Sequence, residues 1–248
     1  MIGVILQARM GSSRLPGKVL KEINGMTSIE FQINRIKKAK NINKIILATT
    51  TESVDDPIEK LCQKHDILFF RGSEKDVLAR YYDCAKAHEL SSIVRLTADC
   101  PLVDPSVIDL VITSYLEKNV DYCSNTVPPE TSKWPDGSDV EVFSFEILEQ
   151  AYKNASEEAD REHVTFYFWK KNFDKFNTYQ LPNHKNWSNY RFTVDHPEDY
   201  DAVRLIVDQF YQNNQPNFDT KDIINFLDSQ PEIKALNNKF SFGEGWKE

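Results

Sequence analysis

The sequence predicts an α/β fold in which a mostly parallel β-sheet is flanked by helices. Two observations support this prediction. Short apolar runs with the composition of buried strands alternate with amphipathic segments through the first half of the chain. The connections between them are short, which favours right-handed parallel crossovers within one sheet. Ligands of such sheets bind at the carboxyl ends of the strands, so the loops after the apolar runs are the first places to search for function.

The elements of the first half follow from these patterns in order. The run Ile2–Leu6 is a strand that is apolar on both faces. Ile29, Ile33 and Ile36 lie on one face of a helix over 28–40. Further strands are predicted at 44–49, 67–70 and 93–96, with helices at 55–65 and from 72 to about 90.

After about Cys123 the alternation ends. Residues 124–138 have the composition of a loop, with three prolines and a glycine. The remaining elements are predicted as helices at 145–154, 157–170, 199–212 and 220–229, with two short strands inside 175–193. The tail at 240–248 shows no usable pattern.

The composition and net charge of the chain exclude several classes of protein. Forty per cent hydrophobic and twelve per cent aromatic residues suffice for a packed core, so a disordered chain is excluded. The net charge of −8 disfavours general nucleic-acid binding. The sequence shows no candidate membrane span or signal peptide, and its four cysteines lack zinc or disulfide spacing, so we expect a cytoplasmic protein without a membrane partner.

The loop that follows the first strand has the composition of an anion site. Between Gln7 and Lys18 it contains the cations Arg9, Arg14 and Lys18, and no acid. Backbone amides and cations at the end of a buried strand can surround a polyphosphate. The loop is not a Walker A motif, because five residues separate its glycines and Val19 follows the lysine. A solvated loop whose glycines serve turns is the alternative.

Two acids follow strand-like segments at a distance from this loop. Asp99 lies in RLTADCPLVDP and Asp195 in RFTVDHPED. Either carboxylate could bind Mg²⁺ together with substrate phosphates, or could cap a helix or a turn. The spacing alone leaves Asp99 open and favours a cap for Asp195. Asp104, before Pro105, is predicted to cap a helix.

Two further motifs have both a functional and a structural interpretation. Asp139 and Glu141 in WPDGSDVEVF could form a binding surface or the solvated side of an edge strand. Arg161 and His163 in REHVT, on a predicted helix, could bind an anionic acceptor or be structural.

The chain resembles a known family at several of these motifs. LQAR followed by GSSRLPGK resembles the opening signature of the cytidylyltransferases that make CMP-activated sugar acids. The likeness is strongest to the spore-coat-polysaccharide type, which includes a phosphoglutamine cytidylyltransferase of capsule biosynthesis. VDHPED, DGSDVE and REHVT are similar to later motifs of the same group.

The resemblance implies a fold and a domain plan. The fold would be a Rossmann-like sheet of the nucleotide-diphospho-sugar-transferase type, with an inserted acceptor and dimerisation lobe. A single domain over 1–248 would comprise a nucleotide-binding half at 1–123, the lobe at 124–190 and a closing segment at 191–248 that supplies a second metal ligand. A homodimer is a family expectation.

The resemblance also implies the roles of the site residues. Catalysis would fall to Arg14, Lys18 and Asp99, and Mg²⁺ would be held by Asp99 and Asp195. The acceptor would meet Asp139, Glu141, Arg161 and His163. CTP would be bound by Leu6, Ala8, Arg9, Gly11, Ser12, Ser13, Arg14, Lys18, Thr49, Arg71, Gly72, Ser73 and Asp99.

The implied reaction is attack of an acceptor oxygen on the α-phosphate of CTP, with release of pyrophosphate. The acceptor would be a sugar acid or a phosphorylated small molecule such as phosphoglutamine, for polysaccharide or capsule biosynthesis. The sequence does not choose between a CMP-linked and a CDP-linked product. Three alternatives stay open: a nucleotidyltransferase for another nucleotide, a glycosyltransferase of the same fold, and a nucleotide-binding protein without catalysis.

Overall fold

A computed structural model describes residues 1–244, and residues 245–248 at the end of the predicted closing segment lie outside the described residues. The strands are β1 (Ile2–Gln7), β2 (Glu22–Ile23), β3 (Met26–Thr27), β4 (Lys44–Thr50), β5 (Leu68–Gly72), β6 (Ser92–Thr97), β7 (Tyr122–Ser124), β8 (Glu141–Ser144) and β9 (Thr178–Gln180). The helices are α1 (Ser28–Ile36), α2 (Asp56–Lys64), α3 (Val77–Ala87), α4 (Pro105–Lys118), α5 (Phe145–Asn154), α6 (Glu158–His163), α7 (Pro197–Gln212), α8 (Thr220–Ser229) and α9 (Pro231–Ala235).

The mostly parallel sheet predicted from the sequence is confirmed. Seven strands form one sheet in the order β5-β4-β1-β6-β8-β7-β9, and β2 and β3 form a separate hairpin. β1 pairs in parallel with β4 on one side and β6 on the other. Because Val4, Ile5 and Leu6 are fully buried at its centre, the loop that follows β1 starts from a strand that is buried on both faces and paired on both sides.

The second half of the chain completes the same sheet. β8 runs antiparallel between β6 and β7, and β9 pairs in parallel with β7. The predicted lobe at 124–190 therefore supplies two strands to the central sheet. The functional division of the chain at 123 and 190 stays a prediction.

Two sequence-based elements of this half are wrong. The helix predicted over 157–170 ends at His163, because Val164 adopts a φ of +57° and a π-helical turn follows at Tyr167–Lys171. The strand predicted near 191–193 is a single bridge between Asp136 and Arg191. Both segments are fixed by long-range contacts, which helical or strand periodicity does not record.

The helix caps explain how other segments fold locally. Thr27 and Glu30 form a capping box at the start of α1. Asp104 caps α4 by accepting from the backbone N–H of Ser106, as predicted. Among residues 1–244, every helix is too short or too polar to span a bilayer.

Candidate active site

A cleft of about 650 Å³ opens at the carboxyl ends of β1 and β6. The loop after β1 and residues at the end of β6, including 97–100, line it. Residues from 136–141, 158–163 and 191–195 reach the same cleft. The topology therefore places the loop and both acidic motifs at the sheet edge where ligands of α/β proteins bind.

A buried acid holds the loop after β1 in place. Asp55 accepts a hydrogen bond from the Met10 backbone N–H at 2.6 Å and another from the Thr50 hydroxyl. Gly17 adopts a φ of +67°, and its N–H bonds the Met10 carbonyl at 3.1 Å. The segment between Met10 and Gly17 is thus a closed loop anchored to β4, which limits the conformations that its cations can take.

The cations of this loop meet both predicted metal ligands. The Lys18 ammonium lies 2.7 Å from Asp195 Oδ1 and 3.3 Å from Asp99 Oδ2. The Arg14 guanidinium is 3.4 Å from Asp195 Oδ2. Burial opposes the charge of Lys18, but the two carboxylates outweigh it and raise the pKa of the ammonium. Asp195 is therefore an ion-pair partner, and His196 takes the cap position of α7 instead.

Backbone contacts bring the two aspartates together although their segments are far apart in sequence. The Val194 N–H donates to the Asp99 carbonyl at 2.7 Å, and the Thr193 hydroxyl donates to the same carbonyl at 3.3 Å. Gly137 makes a close approach here: at a φ of +91°, a Cβ on it would lie 2.2 Å from the Thr193 backbone nitrogen. Only glycine allows these segments to pack this closely.

Arg191 is the most heavily bonded side chain of this region. It is 6% exposed and donates to Asp199 Oδ1 at 2.8 Å and Asp136 Oδ2 at 2.6 Å, with Asp195 Oδ2 at 3.5 Å. Burial opposes its charge, but the bonds with Asp199 and the charge of Asp136 raise the pKa of the guanidinium. Asp199 also accepts from the backbone N–H groups of Asp195 and His196. The turn that holds Asp195 is thus fixed through Arg191 and Asp199.

The cleft has an excess of buried acid. Burial raises the pKa of the Asp139 carboxyl to about 6, with Asp99 adding to the shift and bonds from Thr126 and Gly137 opposing it. Burial and the charge of Asp139 raise the pKa of Asp136 well above its usual range. The cations present do not fully balance these carboxylates, so the site favours an additional cation.

Glu141 is a buried ion-pair partner rather than a solvated acid of an edge strand. It lies in β8 inside the sheet, is 5% exposed, and bonds Arg95 and the Tyr122 hydroxyl. The edge-strand interpretation is therefore wrong, because β7 and β9 cover β8 on its outer side.

The structure brings most of the predicted site residues to the cleft. Its lining includes Ala8, Arg9, Gly11, Ser12, Ser13, Arg14, Lys18, Asp99, Asp139, Glu141, His163 and Asp195. His163 stacks on Phe166, and burial lowers the pKa of its imidazole.

Six predicted residues lie outside that lining: Leu6, Thr49, Arg71, Gly72, Ser73 and Arg161. Leu6 and Thr49 are buried within β1 and β4. Arg71 binds Asp56 and Glu59 on α2, and Gly72 packs against the Arg80 side chain. The Ser73 carbonyl accepts a hydrogen bond from the Arg80 guanidinium.

Arg161 points away from the cleft because it bonds Asp76, the cap of α3, and the Tyr152 carbonyl at 2.8 Å. Its position indicates a structural role for this side chain. The pairing with Asp76 joins α6 to α3, and Glu162 and His163 are the members of the REHVT motif that line the cleft.

Several charged cleft residues had no role assigned from the sequence, among them Arg95, Asp136, Arg191 and Glu244. A signal existed for Arg95, a charged residue inside the apolar strand SIVRLT, which requires a buried partner. Arg191 and Asp136 lie within motifs quoted for other residues. Glu244 lies in the tail, where the sequence shows no pattern.

The donor set fits Mg²⁺ in the manner of a phosphate-bound ion. Asp99 and Asp195 offer oxygens to one shared cationic group. Among residues 1–244, no group of three or more His, Cys, Asp or Glu side chains is arranged to hold a metal by itself. Mg²⁺ commonly binds through one or two carboxylates and completes its shell with substrate phosphates and water.

Comparison with known proteins agrees with this geometry. Residues 3–230 match the sequence model of the cytidylyltransferase family. The chain belongs to the cytidylyltransferase family. A solved cytidylyltransferase of Leptospira borgpetersenii is 33% identical, superposes with a TM-score of 0.87 and covers 94% of this chain and 96% of its own.

Two curated relatives extend over nearly the whole chain. The protein MJ1063 of Methanocaldococcus jannaschii is 38% identical, over 96% of this chain and 94% of its own length. The spore coat polysaccharide biosynthesis protein SpsF of Bacillus subtilis is 30% identical, over 92% of this chain and 94% of its own. The resemblance predicted from the motifs is confirmed, and the family supports a nucleotidyltransferase enzyme over a glycosyltransferase or a protein that only binds nucleotides.

Proposed function

We propose that this cytidylyltransferase joins CMP from CTP to an oxygen of a small acidic or phosphorylated acceptor and releases pyrophosphate. The observation that supports this most directly is the contact of Lys18 with both Asp99 and Asp195, beside Arg14. Cations of a phosphate loop and two oxygen ligands meet at one point, which is the arrangement that transfer from a triphosphate requires.

The chain's own groups would bind and orient the triphosphate. Arg9, Arg14 and Lys18 line the cleft and would supply three positive charges to the phosphates. Asp99 and Asp195 would hold Mg²⁺, which supplies charge neutralisation at the phosphate oxygens when it is bound. The loop is anchored through Asp55, and ion pairs hold Arg14 and Lys18 at the two aspartates. Charges that are fixed before the reaction stabilise a transition state most effectively.

The acceptor would meet other side chains of the same cleft. His163, Lys75 and Asp139 are in its lining and offer a mixture of cationic, neutral and acidic partners. Such a lining suits an acceptor with an acid or phosphate and several hydroxyls, such as a sugar acid or a phosphorylated amino acid. SpsF is named for spore coat polysaccharide biosynthesis, and we propose a related role in surface polysaccharide or capsule synthesis. The four cysteines are free and buried, which supports a reducing, cytoplasmic setting.

The test is pyrophosphate release from each of the four nucleoside triphosphates with Mg²⁺ and a panel of acceptors. The panel contains nonulosonic acids, an octulosonic acid, glycerol phosphate and phosphoglutamine. Release with CTP and one acceptor supports the proposal and identifies the product as CMP- or CDP-linked. Release that prefers another nucleotide contradicts the assignment of CTP. The absence of both turnover and Mg²⁺-dependent CTP binding contradicts the proposal as a whole.

A further inference from the structure

The last described residues pack against the turn that holds Asp195. We call residues 237–244 the C-terminal strap. Asn237, which is 4% exposed, donates to the Asp199 carboxylate at 2.9 Å and to the Arg191 carbonyl at 3.3 Å. The strap therefore contacts both members of the ion pair that fixes the Asp195 turn.

Aromatic and ionic contacts continue along the strap. The Phe240 ring stacks on the His196 ring with 3.8 Å between centroids and 4° between planes. The Arg191 guanidinium lies 5.6 Å from the same Phe240 ring, and the Ser241 carbonyl is 3.5 Å from its Nη1. Glu244 Oε2 is 3.2 Å from His196 Nε2, and Gly243 and Glu244 line the cleft.

These contacts add to the ion pairs of Arg191. Its guanidinium also meets the carboxylates of Asp136, Asp195 and Asp199. A planar guanidinium with this many fixed partners has one orientation, and it holds the carboxylates beside it in one orientation as well. The Asp195 carboxylate cannot rotate freely while Arg191 is held in this way.

We propose that Arg191 is a positioning residue for Asp195 and that the C-terminal strap, by fixing Arg191 and His196, is part of the cation–triphosphate site. The strap acts on Mg²⁺-dependent binding of CTP rather than on the fold. Outer partners that orient metal ligands change metal affinity or activity by about tenfold to a hundredfold when they are removed. Because the role of Asp195 rests on the proposed function, the test separates the two.

The test measures CTP affinity by calorimetry with Mg²⁺ and with EDTA, in the full-length protein. The dissociation constant in EDTA divided by the dissociation constant with Mg²⁺ reports how much the cation strengthens CTP binding. Phe240→Ala removes the ring that packs on His196 and Arg191, and Asn237→Ala removes the bonds to Arg191 and Asp199. Phe173→Ala is the matched control, because Phe173 is 66% exposed and remote from the cleft lining.

We expect both strap variants to lower the ratio by about tenfold or more, while the affinity in EDTA changes by less than about twofold. Melting temperatures verify that each variant is folded, and the control keeps the wild-type ratio. Strap variants that keep the wild-type ratio overturn the inference and leave the proposed function intact. Equal losses with Mg²⁺ and EDTA also overturn it, because they indicate a purely structural role. A wild-type protein whose CTP affinity ignores Mg²⁺ contradicts the proposed metal site and the inference with it.

Discussion

Asp99 and Asp195 contact the same ammonium group, yet two regions of the molecule hold them differently. Asp99 follows β6, a strand in the middle of the parallel sheet, and its position derives from backbone hydrogen bonds to β1 and β8. Asp195 follows no strand. Its turn is held by Arg191, Asp199 and the backbone bond from Val194 to Asp99. The carboxyl end of a central strand is held by backbone hydrogen bonds, whereas the turn that holds Asp195 depends on side-chain ion pairs.

The largest expected effect is on stability and comes from removing the ion pairs of Arg191, which hold the turn of Asp195. Arg191→Met leaves Asp199 and Asp136 buried without their cation, which should lower the free energy of unfolding by about 3 to 5 kcal/mol. Chemical denaturation measures this loss. Arg71→Met is the control, because its partners on α2 are partly exposed and such pairs contribute about 0–1 kcal/mol. Equal effects at the two positions would contradict the distinction between the regions.

The next effect concerns the first region and is catalytic. Asp99→Asn removes the charge of the proposed metal ligand without changing its size, so kcat for pyrophosphate release should fall by about a hundredfold or more. The melting temperature should stay close to wild type, because β6 fixes the backbone. The exposed turn residue Asp66 gives a matched control, Asp66→Asn, with unchanged turnover. Wild-type turnover in the Asp99 variant would remove Asp99 from the metal assignment.

A smaller effect is expected where the two regions touch. Gly137→Ala would introduce a Cβ 2.2 Å from the Thr193 nitrogen at a φ of +91°. The positive φ alone costs roughly 1–2 kcal/mol for an L-residue, and the close contact adds to it. Thermal denaturation should show a clear decrease. A neutral result would mean that segments 136–139 and 192–194 are not packed as described.

The smallest effect on stability is expected in the cationic loop after β1. No atom lies within 4 Å of a Cβ built on Gly11, so Gly11→Ala should leave stability unchanged to within about 0.5 kcal/mol. If the open space beside Gly11 accommodates the phosphates, the same methyl group should raise KM for CTP by about tenfold, or 1.4 kcal/mol. An unchanged KM, measured at saturating acceptor, would place the phosphates elsewhere in the cleft.

Local sequence patterns account for most of the first region. The strands at 2–6, 44–49 and 93–96 and the cationic loop were predictable, because each depends on a short run of adjacent residues. The place of Asp99 after a strand followed from the same pattern, whereas its role as a metal ligand was implied only by the family resemblance and stays a proposal. A strand that is buried on both faces is apolar throughout, and the three cations of the loop after β1 lie between positions 9 and 18. Such local patterns survive in the sequence whatever the rest of the chain does.

The contacts of the second region could not be predicted from local sequence patterns, because they join residues that are far apart in the chain. Arg161 bonds Asp76 across 85 residues, and Arg191 bonds Asp136 across 55. The sequence left Glu141 open between a binding surface and a solvated edge strand, and the position of β8 inside the sheet excludes the edge strand. A charged side chain has the same local pattern whether it faces solvent, a ligand or a buried partner. Which of these it meets depends on the segments that packing brings beside it, because the free energy of a buried charge is set by its neighbours in space.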